Sequence, residues 1–241
     1  MTTLALTDVV AGYGQGDVLR GVTLEAPTGE ITCVIGPNGA GKSTILKSVS
    51  GLLPPRLGSI TLAGERIDGL SPRAVLERGI VHVPQERSLF PLMSVRDNVL
   101  IGAHILHDSG KARRRLDEVS RRFPLVAERS GDRAGSLSGG QQKIVEIARA
   151  LMLEPEVILM DEPSMGLDPR SRTIVFGAIA KLNQESGRTI LLVEQNARAG
   201  LQIADNGIVM DAGVVALSGP ASTMLADARV AELYLGAGAR A

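Results

Sequence analysis

Residues 36–43 have the types and spacing that suit phosphate binding. They fill the pattern G-x-x-x-x-G-K-[ST] and follow the apolar run at residues 31–35, which predicts a strand. Main-chain N–H groups can wrap a phosphate only where side chains do not block the approach, and Gly36, Gly39 and Gly41 provide that freedom. The segment therefore predicts a site for a nucleoside triphosphate.

Two polar side chains complete this phosphate loop. Lys42 supplies a point charge for the β- and γ-phosphates, and the Ser43 hydroxyl is placed to reach Mg²⁺. A helix is predicted from Thr44 onward, with its positive N-terminal end facing the anion. The predicted phosphate-binding set is Gly36, Pro37, Asn38, Gly39, Ala40, Gly41, Lys42, Ser43 and Thr44.

A pair of carboxylates follows a second apolar run. Asp161 and Glu162 come directly after residues 157–160, and ligand crevices open at the carboxyl ends of such strands. Asp161 suits a partner of Mg²⁺ and its water, and Glu162 suits a general base that polarises the attacking water. Taken in isolation, the pair would be a solvated loop feature.

The segment at residues 137–143 carries a third polar motif. Ser138 is predicted to cap a helix whose apolar face holds Ile144 and Ile147, and its hydroxyl would join the free N–H groups of Gly139 and Gly140 in an anion site. Alone, this Ser-Gly-Gly would be a linker or a simple cap.

Composition limits the classes of protein that fit. The chain has 241 residues and is 44% hydrophobic, which is enough for one sizeable core, and we predict a single domain over residues 1–241. Its 26 basic and 26 acidic side chains cancel, so no net charge favours nucleic acid or an anionic bilayer. No signal peptide or run of about 18 apolar residues is present, which predicts a cytoplasmic protein.

Strand and helix patterns alternate along the chain, which predicts an α/β fold with a mostly parallel sheet. Residues 4–10, 18–26 and 59–63 alternate in polarity and predict antiparallel strands near the N-terminus, whereas residues 157–160 and 190–193 predict central strands buried on both faces. Between residues 86 and 153 no strand is predicted, so a helical insertion is expected there. Residues 236–241 are expected to form a flexible tail.

These motifs in this order resemble ATP-binding cassette (ABC) ATPases, and the resemblance covers nearly the whole chain. It implies a P-loop NTPase core that binds ATP and Mg²⁺, with an N-terminal antiparallel β subdomain and an inserted helical subdomain. Tyr13 resembles the aromatic residue that stacks on adenine, and Gln85 resembles the glutamine that meets Mg²⁺ and reports nucleotide state to the helical insertion. The implied Mg²⁺ ligands are Ser43, Gln85 and Asp161.

The resemblance also implies that one chain does not complete a site. Two cassettes of the family close head to tail, so the signature residues of one subunit would cap the γ-phosphate held by the other. Asp168 lies in a segment that resembles the loop crossing to the opposing subunit. The implied signature residues are Ser138, Gly139, Gly140 and Gln141.

One position departs from the family pattern. Gln195 stands where most members place the switch histidine that contacts the γ-phosphate. An amide can donate a hydrogen bond to that phosphate, but it carries no proton or positive charge. We therefore expect Glu162, Lys42 and Gln195 to support catalysis centred on Glu162, with reduced turnover.

Shorter motifs resemble the ATPases of branched-chain amino acid importers. They lie at residues 84–91, 193–196 and 234–236, although Glu86 with Arg87 departs from the usual Gly-Arg. The implied partners are a second cassette, identical or paralogous, integral-membrane permease subunits on the inner face of the cell membrane and, indirectly, an extracytoplasmic solute-binding protein.

Other functions remain open from the sequence. An importer ATPase for urea, short amides or another solute would share these motifs. A soluble ABC ATPase acting on nucleic acid or ribosomes usually shows a long coiled-coil insertion, zinc cysteines or two cassettes, and a small-metabolite P-loop kinase leaves the signature unexplained. An arginine-rich stretch at residues 113–122 is compatible with a patch for phosphate or lipid headgroups, but acidic residues in the same region favour a solvated helical face, which is the prediction.

Overall fold

The structure is a computed structural model that describes residues 4–106, 108–227 and 230. Its first sheet has four antiparallel strands in the order β2-β1-β4-β5. This sheet confirms the predicted N-terminal antiparallel unit, because alternating buried and exposed residues give each strand one core face. Its strands are β1 Leu4–Ala11, β2 Leu19–Ala26, β4 Leu57–Leu62 and β5 Glu65–Arg66.

The second sheet has six strands in the order β10-β9-β3-β8-β7-β6, and only the β9–β10 pair is antiparallel. Every residue of β3, β7 and β8 is buried, which explains their continuous apolar sequences. The mostly parallel sheet is therefore confirmed. Its strands are β3 Ile31–Ile35, β6 Ile80–Val83, β7 Val157–Asp161, β8 Thr189–Val193, β9 Asn206–Asp211 and β10 Val214–Pro220.

Nine α-helices lie within the described residues. The core consists of two hydrophobic clusters, one on each face of the large sheet. One cluster packs the small sheet against the large sheet, and the other packs the helices of the middle of the chain against the opposite face. The helices are α1 Lys42–Val49, α2 Pro72–Glu77, α3 Val95–Leu100, α4 Ser109–Arg122, α5 Pro124–Glu128, α6 Gly139–Ala150, α7 Pro169–Ser186, α8 Ala197–Ile203 and α9 Ala221–Ala226.

The start of α1 differs from the sequence prediction. The helix begins at Lys42 and not at Thr44, because Gly41 adopts a left-handed φ of 99° and turns the phosphate loop directly into the helix. Lys42 and Ser43 are therefore fixed by helical geometry, which sets the direction of both side chains.

The region from residue 86 to residue 153 contains α3 to α6 and short 3₁₀ turns, and within its described residues the only β-pairing is an isolated bridge between Ser94 and Arg133. The predicted tail at residues 236–241 lies outside the described residues, as does the motif at residues 234–236. No helix in the described part of the chain combines the length and apolar character needed to cross a membrane.

Candidate nucleotide-binding and catalytic site

The phosphate loop joins β3 to α1 and is pressed against its neighbours at two glycines. At Gly36, where φ is 151°, an added Cβ would lie 2.2 Å from the carbonyl oxygen of Met210 in β9. At Gly41 an added Cβ would lie 2.8 Å from Cδ2 of Leu19. Both contacts leave no room for a side chain, so the glycines are needed for packing as well as for access to phosphates.

Lys42 is buried, and its ammonium group is held at the loop it is predicted to serve. Nζ donates to the carbonyl oxygens of Gly36 and Pro37 at 2.9 and 3.1 Å. It also lies 3.9 Å from Oε1 of Glu162, at the outer limit of an ion pair. The charge is thus positioned by backbone carbonyls, and its pairing with the carboxylate is loose.

Ser43 and Asp161 meet across the ends of α1 and β7. Ser43 Oγ donates to Asp161 Oδ1 at 2.9 Å. Burial raises the pKa of Asp161, while the Ser43 hydrogen bond and nearby lysine charges act in the opposite direction. A buried carboxylate with so little solvent is expected to gain from a cation at this point.

Glu162 follows β7 in an unusual backbone conformation, with a φ of 44° in the left-handed region. Its N–H donates to the carbonyl of Val193, which ends the neighbouring strand β8. Its Oε2 accepts a 2.9 Å hydrogen bond from Nε2 of Gln85. The backbone thus turns the carboxylate away from the sheet and toward the phosphate loop, and Lys42, Ser43, Asp161 and Glu162 form what we call the phosphate-loop cluster.

A cavity of about 420 Å³ opens above this cluster. Tyr13 lies on its wall with half of its surface exposed, and Nζ of Lys47 lies 5.6 Å from its ring centroid. Gln195, which follows β8, lies on the same wall as Glu162. The structure thus brings together predicted residues that are far apart in sequence, and those on the wall are Tyr13, Asn38, Gly39, Gly41, Lys42, Ser43, Thr44, Gln85, Glu162 and Gln195.

The signature residues lie away from this cavity. Ser138 caps α6 through a reciprocal capping box, in which Gln141 N donates to Ser138 Oγ at 3.3 Å and Ser138 N donates to Gln141 Oε1 at 3.0 Å. Ser138, Gly140 and Gln141 line a different cavity of about 470 Å³. An added Cβ at Gly140 would lie 2.8 Å from Cβ of Ser171, so α7 requires a glycine there, whereas at Gly139 the tightest contact would be 3.1 Å from the Leu167 side chain.

Asp168 also lies outside the nucleotide-site cavity wall. Its carboxylate caps α7, where it accepts from the N–H groups of Arg170 and Ser171 at 3.0 Å. Hydrogen bonds from Ser171 are the first cause of its lowered pKa. Within one chain, therefore, Asp168 acts as a helix cap.

Glu194 is a buried residue of the site that sequence reasoning missed. It accepts hydrogen bonds from Ser164 N and Oγ, each at 3.1 Å, and from Asn196 N at 3.3 Å. Burial raises its pKa, and these hydrogen bonds oppose that rise. Glu194 thereby ties the loop after Glu162 to the turn that carries Gln195, and the only sequence signal was its place directly before Gln195.

A second missed feature holds the segment that carries Gln85. Glu146 accepts from Ser88 N and Oγ at 2.6 and 3.0 Å, Lys143 Nζ donates to the carbonyl of Pro84 at 3.3 Å, and Arg149 donates to the carbonyl of Ser88 at 2.7 Å. Lys143 also pairs with Glu146 at 2.5 Å. We call Lys143, Glu146 and Arg149 the α6 cluster, and it fixes both flanks of Gln85 to the helix that Ser138 caps.

The donor set at the phosphate loop fits Mg²⁺. The Ser43 hydroxyl and an Asp161 carboxylate oxygen are hard oxygen donors that already lie 2.9 Å apart, and the Gln85 amide supplies another oxygen nearby. Among the described residues no group of three or more His, Cys, Asp or Glu side chains is arranged to hold a metal ion. Mg²⁺ typically takes one or two carboxylates and completes its shell with substrate phosphates and water, which suits this arrangement.

Comparisons with known proteins agree with this geometry. Residues 19–165 match the family model described as ABC transporter. The chain is 37% identical over 233 residues to the high-affinity branched-chain amino acid transport ATP-binding protein BraG of Pseudomonas aeruginosa, covering 97% of this chain and 99% of BraG. It is 36% identical over 226 residues to the probable branched-chain amino acid transport ATP-binding protein LivF of Archaeoglobus fulgidus, covering 94% and 95%.

A relative named for a different transport process is about equally similar. The lipopolysaccharide export system ATP-binding protein LptB of Escherichia coli K12 is 36% identical over 239 residues, covering 98% of both chains. Overall identity therefore does not separate relatives named for branched-chain amino acid transport from one named for lipopolysaccharide export.

Two solved structures share the whole fold. The ADP conformation of the ATP-binding cassette MJ1267 matches with a TM-score of 0.85 and 29% identity, covering 98% of this chain and 99% of that one. The dimeric cassette MJ0796 matches with a TM-score of 0.78 and 27% identity, covering 90% of this chain and 98% of that one.

Proposed function

We propose, on the premise that this chain belongs to the ABC transporter family, that it is the ATP-hydrolysing subunit that energises a membrane importer of branched-chain amino acids. The family match and the full-length relatives establish the chain as an ABC ATPase. The proposal adds the direction of transport, the solute and the roles of individual residues.

One observation carries the chemistry. The ends of β3 and β7 bring an ammonium group, a hydroxyl and two carboxylates together, since Ser43 donates to Asp161 and Lys42 lies 3.9 Å from Glu162. Such a set can hold a nucleotide's phosphates, neutralise their charge and polarise a water, which are the requirements of phosphoryl transfer to water.

The phosphate loop and Tyr13 would bind the nucleotide. Main-chain N–H groups of residues 36–44, apart from Pro37, would wrap the phosphates, and Lys42 would move from backbone carbonyls to phosphate oxygens within reach of its flexible stem. Tyr13 would stack on the adenine ring, because half of its surface is exposed at the cavity wall.

Ser43, Asp161 and Gln85 would hold Mg²⁺. When bound, the ion neutralises charge on the β- and γ-phosphates. Burial of Asp161 keeps its carboxylate short of water, so its preference for a cation is strong.

Glu162 would act as general base toward the attacking water. Gln85 Nε2 donates to its Oε2 and would hold it in place, and the Lys42 ammonium lies 3.9 Å from its Oε1. Gln195 would donate its amide hydrogen to the γ-phosphate without transferring a proton.

We propose that a second cassette completes the site. The signature residues of this chain lie with another cavity, so they would cap the nucleotide of a partner in a head-to-tail dimer, with Asp168 near the crossing. The helical region at residues 86–153 would face permease subunits on the cytoplasmic side of the membrane, within one domain spanning residues 1–241. A solute-binding protein would act through those permeases, and we expect no nucleic-acid partner.

The names of two relatives support branched-chain amino acids as the transported solute. BraG and LivF are both described as branched-chain amino acid transport proteins, and each matches nearly the full length of this chain. The LptB match provides the competing proposal, which is export of a large glycolipid.

Uptake tests the proposal. In cells where Glu162→Gln is the sole copy, we expect uptake of labelled leucine and valine to fall to background, while Glu25→Gln, an exposed residue of β2 that loses the same charge outside the helical region, keeps parental uptake. ATP hydrolysis by the purified variants is measured in parallel. Lost hydrolysis with unchanged leucine uptake would remove branched-chain amino acids as the solute and leave the ATPase assignment intact.

A further inference from the structure

A second charged cavity lies on the side of the molecule where α4 packs against the turn after α6 and the turn before β8. It has a volume of about 450 Å³, and none of its lining residues lies on the wall of the nucleotide cavity. We call it the arginine cavity, after its charged lining of Arg115, Arg121, Arg122, Arg188, Glu118 and Glu154.

Its positive charges outnumber its negative ones, and both glutamates are already engaged. Glu118 and Glu154 each form an ion pair with Arg115. Arg122 has a carboxylate only at the outer limit of pairing, with Nε 3.9 Å from Glu185. Arg121 has no carboxylate partner within the described residues, and Arg188 is subject to the charges of Arg122 and Arg115 as well as to the opposing charge of Glu154.

The guanidinium group of Arg188 is only partly hydrogen-bonded. One of its terminal nitrogens donates to the carbonyl of Pro155, but its Nε is buried with no hydrogen-bond partner among the described residues. Burial lowers its pKa first, and the charge of Arg122 lowers it further. A buried donor on a disfavoured cation is expected to gain from an anionic acceptor.

We propose that the arginine cavity binds a small anion that carries phosphate groups. The planar guanidinium fork matches phosphate geometry and forms two parallel hydrogen bonds to it. The volume falls within the range of sites for small ligands. None of the roles in the proposed ATPase uses these residues, so the inference goes beyond that function.

The position of the cavity gives the ligand a mechanical role. Arg121 and Arg122 belong to α4, whereas Arg188 leads into β8, which ends before Gln195. Arg122 also lines the cavity that contains Ser138. A bound anion would therefore join α4 to the parallel sheet beside the signature residues, and it can adjust ATP turnover from outside the nucleotide site.

The test measures pyrophosphate binding by isothermal titration calorimetry on the full chain. One equivalent of ADP per chain occupies the phosphate loop and leaves no excess ADP to compete at the arginine cavity, and free Mg²⁺ is omitted because it would bind the probe. We expect one pyrophosphate site per chain, with affinity reduced at least tenfold by Arg188→Gln and by Arg121→Gln. The matched control is Arg113→Gln, an exposed residue of α4 that loses the same charge and should change affinity less than twofold.

Three outcomes would overturn the proposal: no binding to the ADP-filled parent, weakening by Arg113→Gln equal to that of the other variants, or unchanged affinity in Arg121→Gln and Arg188→Gln. If Arg188→Gln lowers the melting temperature, the exposed Arg121 decides the result. Flotation with phosphatidylglycerol vesicles distinguishes the source of the phosphate: vesicle binding that pyrophosphate competes and Arg121→Gln abolishes assigns a lipid headgroup, and its absence assigns a soluble anion.

Discussion

Two buried charge clusters follow neighbouring strands of the parallel sheet, and they differ in how tightly their ions are paired. In the α6 cluster, beside the segment after β6, Lys143 and Glu146 lie 2.5 Å apart, and Glu146 also accepts from Ser88. In the phosphate-loop cluster, after β7, Lys42 lies 3.9 Å from Glu162. Burial and charge are common to both, so the looser pairing of Lys42 with Glu162 is what separates a candidate for chemistry from a structural clamp.

The largest expected effect is on ATP turnover and tests the phosphate-loop cluster. We predict that Glu162→Gln lowers ATP turnover by roughly 100- to 10,000-fold, the usual contribution of a general base. The free energy of unfolding should change by less than about 1 kcal/mol, because Lys42 keeps its two carbonyl partners. Phosphate release and urea unfolding measure the two quantities, and turnover within tenfold of the parent would remove Glu162 as the base.

For the α6 cluster we predict a loss of stability. Glu146→Gln keeps an acceptor for Ser88 but leaves the buried Lys143 charge without its partner, so the free energy of unfolding should fall by about 3 kcal/mol. The exposed Glu128→Gln should change it by less than about 0.5 kcal/mol. Urea unfolding compares the two, and a stable Glu146→Gln would contradict the clamp.

Gln195 adds an uncharged residue to the comparison of the two clusters, because its side chain is exposed at the nucleotide cavity. We predict that Gln195→Ala slows turnover roughly 10- to 100-fold, the value of one hydrogen bond to a charged group, and leaves the melting temperature unchanged. Gln184→Ala on the exposed face of α7 is the matched control. If Gln195→Ala hydrolyses ATP as fast as the parent, its contact with the γ-phosphate is excluded.

His82 of β6 tests burial of a titratable group without an ion pair, and its effect appears only when the pH is lowered. It lines a cavity with Glu146 and Arg149, and burial lowers its pKa to about 4, with a smaller contribution from the charge of Lys47. The unfolded state binds this proton at higher pH than the folded state, so stability should fall as pH drops from about 6.5 toward 4, by up to about 1.4 kcal/mol per pH unit.

The pH dependence of the melting temperature measures this slope. His82→Gln should flatten it in that window relative to the parent, while both proteins share the slope caused by other groups. Identical slopes would show that His82 titrates alike in the folded and unfolded states.

Local motifs were predictable from the sequence because each depends on adjacent residues and one strand or helix end. The phosphate loop, Asp161 and Glu162 follow apolar strands, and a parallel sheet must bring such ends to one edge. The apolar runs of β3, β7 and β8 likewise follow from burial on both faces.

Features that depend on tertiary contacts were missed. The apolar face of α6 was visible, but a polar face normally meets solvent, and only the packing of the segment after β6 buries Lys143 and Glu146. The arginine-rich stretch was predicted to be solvated. That prediction is wrong for Arg115, because α4 lies against the α6 turn and leaves its side chain only 20% exposed.

The left-handed backbone of Glu162 has a consequence for how the protein responds to selection. A glutamate costs roughly 1–3 kcal/mol in that conformation, whereas asparagine tolerates it better and glycine adopts it freely. Replacement by either residue should therefore make the chain more heat-resistant while it loses turnover. A screen for thermal tolerance alone would enrich inactive proteins at this position, so the glutamate can persist only where activity itself is selected.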